Sequence, residues 1–141
     1  MNSKRTLNVA SVAFLAFSAV AVLVVSLMAF NNPQHVMDMV QVQLPNTDAY
    51  SSIRGVYGGV GFTIFLTLVY LTIKDHLRGL IFAAVLWGFY AISRVITIFS
   101  EGALGAFGTQ WLTIETLLCL MAILLLFFHS QKGALARNES K

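Results

Sequence analysis

Four long apolar runs, Leu7 to Phe30, Ser52 to Ile73, Leu77 to Phe99 and Trp111 to Phe128, leave this chain very few ways to fold. Each approaches or exceeds the ~20 residues with which an α-helix crosses a hydrocarbon core of about 30 Å. Only 11% of the residues are charged and 57% are hydrophobic, whereas charged residues alone make up roughly a quarter of a soluble domain. Lipid is therefore the expected solvent for most of the chain. The four runs take up well over half of the 141 residues, so residues 1–141 are expected to form a single integral membrane domain. The expected fold is all-α, a four-transmembrane-helix antiparallel bundle.

The first run could also be read as a signal peptide, given Lys4, Arg5 and the small residues Ser26 and Ala29. A signal h-region is usually only about 7 to 15 residues, which favours a retained helix. The net charge of +3 is dispersed in ones and twos between the runs, without the cluster or stripe that nucleic-acid binding needs. A single cysteine, Cys119, excludes an intrachain disulfide and a Cys-x-x-Cys redox pair.

Among the connectors, residues 31–51 form the longest polar stretch, interrupted by Pro33 and Pro45. Val36, Met37, Val40 and Leu44 fit one face of a short surface helix, although the alternation from Val40 to Leu44 also fits a strand. Lys74, Asp75 and His76 make a tight turn, and the glycine-rich segment 101–110 reads as a mobile loop. Lys4, Arg5, Lys74, Arg78, Lys132, Arg137 and Lys141 fall on one side of the bundle. By the positive-inside rule both termini are expected in the cytoplasm, with residues 31–51 and 101–110 facing outward.

Charged groups inside spans cost at least a few kcal/mol and need partners or water. Arg54, Arg94 and Glu115 are the three here, all expected at similar depth near the outer side. Arg94 shares a helical face with Gly79, Ala83, Tyr90, Ser93 and Thr97; Glu115 shares one with Trp111, Cys119 and Ala122; Asn8, Ser11, Ser18, Ser26 and Ala29 line up in the first run. Gly55 and Gly59 form a G-x-x-x-G pair, and with Gly58 and Gly61 they are expected to let helices pack closely. No strand precedes these glycines and no G-K-[ST] follows them, so they do not form a phosphate loop.

Two accounts of the charges stand side by side. In one, the arginines and Glu115 form a structural ion pair that fixes helix register, with Tyr57 and Tyr90 satisfying leftover donors. In the other, Arg54, Tyr57, Tyr90, Arg94 and Glu115 line a pocket for a small apolar or anionic molecule or a lipid, because two arginines against one carboxylate leave an excess positive charge. Proton-coupled transport through Glu115 and a structural or accessory role, with a homo-oligomer or partner membrane protein on the glycine face, are the alternatives. His35, His76 and His129 read as isolated, solvated interfacial residues rather than metal or haem ligands, and no cofactor is expected.

The segment AYSSIRGVYGGVGF, the basic turn before Gly79, Arg94 followed by Glu101 and Gly102, and Glu115 together resemble the bacterial membrane family called domain of unknown function 4345. More distantly the chain is similar to DoxX-like four-helix membrane proteins. The most specific positions are Arg54, Tyr57, Gly58, Gly59 and Gly61. The resemblance implies a multi-pass protein of a bacterial inner membrane. It implies no activity and no catalytic residue.

Overall fold

The structure, a computed structural model, describes the backbone of residues 2–138 and the side chains of residues 5–131. Of the residues used to assign topology, Lys141 lies outside this range, as do the side chains of Lys4, Lys132 and Arg137. The described chain is helical and contains no strand: α1 (Asn2–Asn31), α2 (Pro33–Asp38), α3 (Thr47–Ile53), a π-helical stretch (Arg54–Val60), α4 (Gly61–Lys74), α5 (His76–Ser100) and α6 (Ala106–Asn138). Four stretches are long and apolar enough to cross a membrane: Arg5–Asn31, Thr47–Lys74, His76–Ser100 and Ala106–Gln131.

The helix ends follow from capping that apolar periodicity does not reveal. Asn32 accepts a hydrogen bond from the Gln34 amide with Pro33 in the first turn of α2, Asn46 caps α3 by accepting from Ala49, and Asp75 caps α5 by accepting from Arg78. The second span accordingly begins at Thr47 rather than Ser52. Lys74 ends α4 and His76 begins α5, so one residue joins them. The second half of the glycine-rich segment read as a loop is helix, since α6 already starts at Ala106 and the Thr109 amide bonds to the Gly105 carbonyl. The connector shrinks to residues 101–105, where Gly102 at φ 108° ends α5 in a conformation that suits glycine.

The chain divides into two compact units, one comprising Met1–Leu15 with Leu71–Lys141 and the other Ala16–Tyr70. In the first, α5 and α6 are antiparallel. His76 meets His129, Gly88 lies against Cys119, and Arg94 meets Glu115, so the partners advance in opposite directions along the two helices. Gly79, Leu80, Ala83 and Trp87 are buried on one face of α5, with Glu115, Ala122 and Leu125 on α6 and Ser11 and Leu15 on α1. Leu15 of α1 packs so closely on Gly79 that a Cβ there would stand 2.7 Å from its Cδ1.

In the second unit, Ala29 of α1 and Val36 and Met37 of α2 form an apolar cluster joined by Met28, Leu44, Ile53 and Tyr57. The connector 32–46 is therefore folded onto α1, with a short helix rather than a strand. The Gln34 side chain holds it together by donating to Asp38 and the Val42 carbonyl and accepting from the Leu44 amide. Helix α2 ends with the Gln41 amide bonded to Asp38 and the Val42 amide bonded to Met37, a Schellman closure with Gln41 at φ 59°. A left-handed residue other than glycine costs about 1–2 kcal/mol, partly offset by the greater unfolded-state entropy of glycine. Gln41→Gly should therefore raise stability by up to about 1 kcal/mol, measured by unfolding in detergent.

Candidate functional site

The π-helical stretch is where this second unit departs most from a regular span. Its sequence, RGVYGGV, offers three glycines, and the Ser26 hydroxyl on α1 donates to the Gly58 carbonyl at 2.7 Å, supplying a bond outside the helical ladder. Gly58 and Gly61 are the close-packed positions. A Cβ at Gly58 would lie 2.9 to 3.2 Å from three atoms of the Phe30 ring, and one at Gly61 would lie 3.2 Å from Ser26 Cβ. Gly55 and Gly59, the G-x-x-x-G pair, would meet nothing within 4 Å. The wider π turn advances the backbone by less than 100° per residue, so the face reckoned from α-helical spacing is not the one that meets α1.

Arg54 opens this stretch, about 10 Å inside the span that begins at Thr47. Its side chain is exposed, and Nε donates to the Phe30 carbonyl at 3.1 Å. That carbonyl lies in the last turn of α1, where intrahelical donors run out, so the guanidinium caps the negative end of the helix. The Nη groups make no hydrogen bond or ion pair with the described residues. Tyr57, three residues on, is half-buried against the Ala29, Val36 and Met37 cluster.

In the first unit, Arg94 and Glu115 are brought together. Arg94 Nε donates to Glu115 Oε2 at 2.6 Å and Nη2 to Oε1 at 2.8 Å, a bidentate pair in which the carboxylate is 2% exposed and the guanidinium side chain 23%. Tyr90 is 42% exposed, its ring 6.0 Å from that of Trp87. Cys119 donates to the Ala84 carbonyl at 3.5 Å and packs beside Gly88. The candidate residues thus fall into two groups in different units: Arg94, Glu115 and Tyr90 in one, Arg54, Tyr57 and the glycines in the other.

Two histidines read as solitary are neighbours. The His76 and His129 rings lie 5.4 Å apart, and His129 Nε2 is 3.0 Å from Ser11 Oγ. A serine–histidine contact of this length is also the geometry of a nucleophile and its base, but Ser11 is fully buried and directs its hydrogen to the Leu7 carbonyl at 2.9 Å. The contact is a packing bond. Among the described residues, no three His, Cys, Asp or Glu side chains gather as metal ligands, and no buried side-chain nitrogen or oxygen lacks a hydrogen-bond partner.

Four membrane-length apolar helices, with an ion pair set into one pair of them, define a multi-pass membrane protein. Residues 11–126 match the family model described as Domain of unknown function (DUF4345), and the chain belongs to that family. The matched region includes Arg54, Tyr57, Arg94 and Glu115. No match was found among curated proteins, and none among solved structures.

Proposed function

We propose that this membrane protein binds the acidic headgroup of an amphiphile, a lipid or a small apolar anion, at Arg54. The observation that carries the reading is the unequal treatment of Arg54 and Arg94, the two arginines set well inside the spans rather than at their ends. Arg94 is neutralised by Glu115, whereas Arg54 contacts one carbonyl through Nε and keeps its Nη groups uncommitted. A guanidinium fork of this kind fits a phosphate or carboxylate bidentately, and within a membrane such a charge is costly until an anion meets it. The exposed Val56 and Val60 on the same stretch offer apolar surface for an acyl chain. The positive-inside pattern supports an outward-facing position for this end, and a bacterial inner membrane is the setting that the family resemblance implies.

The bidentate bonding and burial of Glu115 favour a structural ion pair over a proton carrier, which needs to release its partner to turn over. Binding is tested with the full chain in neutral detergent, titrated with phosphatidylglycerol, with a fatty-acid anion and with inorganic phosphate. A charge-assisted bidentate contact is worth about 1.5–3 kcal/mol, so Arg54→Gln should weaken binding of the anionic amphiphile tenfold or more. Preference for the phospholipid or for the fatty acid separates the two sources. Equal affinity in wild type and Arg54→Gln would rule the site out.

A further inference from the structure

The tip of the connector between the first two spans carries apolar side chains that the core of its unit leaves outside. Val36 and Met37 turn inward onto Ala29 of α1, whereas Met39, Val40 and Val42 are exposed. Single exposed apolar side chains are ordinary on any protein surface, but three of them within four residues make a patch. No charge interrupts it, since the chain from Met39 to Asn46 reads MVQVQLPN. The one carboxylate of the connector, Asp38, stands just before this stretch and accepts from the Gln34 side chain at 2.7 Å. Gln41 and Gln43 are exposed too, so the tip is amphipathic.

Hydrogen bonds fix how far this tip stands from the end of α1. The Val40 and Val42 amides both donate to the Met37 carbonyl, at 3.0 and 3.1 Å, and Met37 is packed against Ala29. On the other side Leu44 packs on the same cluster, while Gln34 donates to the Val42 carbonyl and accepts from the Leu44 amide. Both ends of the tip are thus pinned beside the last turn of α1. Leu27 and Phe30, on either side of Ala29 in that helix, are exposed to much the same degree as Met39, Val40 and Val42. Such residues on a spanning helix face lipid, so the lipid-facing surface of α1 reaches the depth at which the tip is held.

We propose that residues 39–43 are an interfacial membrane anchor, with Met39, Val40 and Val42 set among the lipids of the leaflet at this end of α1 and Gln41 and Gln43 among the headgroups. An uncharged segment with apolar and polar side chains, held at the end of a span, fits the boundary between headgroups and acyl chains, where amphipathic segments bury their apolar side about 5–10 Å deep. The occupant of the patch is the lipid surface itself, continuous with the lipid around Leu27 and Phe30. The connector is then a rigid foot in the membrane rather than a loop extended toward a soluble partner. The Gln34 bonds supply the rigidity, because they close the foot on itself before it meets lipid. The anchor does not depend on an anion at Arg54.

The test uses the full chain with Cys119→Ala in nanodiscs of phosphatidylcholine and phosphatidylglycerol. Single spin labels are attached through Val40→Cys and Val42→Cys, exposed positions whose replacement leaves the packed cluster intact. Leu27→Cys on α1 supplies the lipid reference and Asp48→Cys in the first turn of α3 the water reference, both exposed. Power saturation reads collisions with oxygen, which concentrates in lipid, and with a neutral nickel chelate, which stays in water. The ratio of oxygen to nickel collisions at 40 and 42 should be several-fold above that at 48 and approach that at 27. A ratio at 40 and 42 equal to that at 48 would overturn the anchor by placing the tip in water. Shielding of both labels from both reagents would overturn it as well, because a second copy or another protein would then cover the patch.

Discussion

Glu115→Ala is expected to destabilise the protein by about 3–5 kcal/mol, the largest effect of any single substitution considered for this chain. Glu115 receives two short bonds from Arg94 and is almost wholly enclosed. Its removal leaves a guanidinium, itself less than a quarter exposed, without its counter-charge inside a span. Arg94→Ala should cost a similar amount by stranding the carboxylate. The paired change Arg94→Met with Glu115→Leu should restore most of the loss, because exchanging both partners for apolar side chains also removes the desolvation cost. Reversible unfolding in mixed detergent reads all three. If Glu115→Ala unfolds as the wild type does, the pair is not structural.

Gly58→Val should destabilise by about 1–3 kcal/mol, while Gly55→Ala and Gly59→Ala should be neutral or raise stability by up to about 1 kcal/mol. The contrast comes from the π-helical turn. At Gly58 any Cβ runs into three atoms of the Phe30 ring, and the segment is also tied to α1 by the Ser26 hydroxyl, so neither side gives way freely. At Gly55 and Gly59 there is open space, and replacing glycine with alanine improves helix propensity. The same unfolding assay decides the matter. Equal costs at all three positions would mean that the stretch is regular α-helix in the membrane.

Length and hydropathy made the four spans legible, because no other fold shelters runs of that size. The Arg94–Glu115 pair was legible for a related reason: Glu115 is the one acid within the apolar runs, and an arginine within a span needs a partner. What periodicity misplaced were the ends. Asn46 starts the second span five residues early, and the glycines at 105 and 108 hid a helix that begins at Ala106. The π-helical turn was out of reach because each face was reckoned at 100° per residue, and that changed which glycines pack. The histidines escaped for another reason. Residues 76 and 129 are 53 positions apart, and only the antiparallel seam of α5 and α6 makes them neighbours.

The central claim is that one arginine within the spans is neutralised inside the chain and the other by an anion from outside. Its most direct measurement is a count of anionic lipids retained through purification, by native mass spectrometry of the detergent-released protein. The wild type is expected to carry one more anionic lipid than Arg54→Gln, and the paired Arg94→Met with Glu115→Leu variant is expected to keep the wild-type number. Equal counts in wild type and Arg54→Gln would contradict the account.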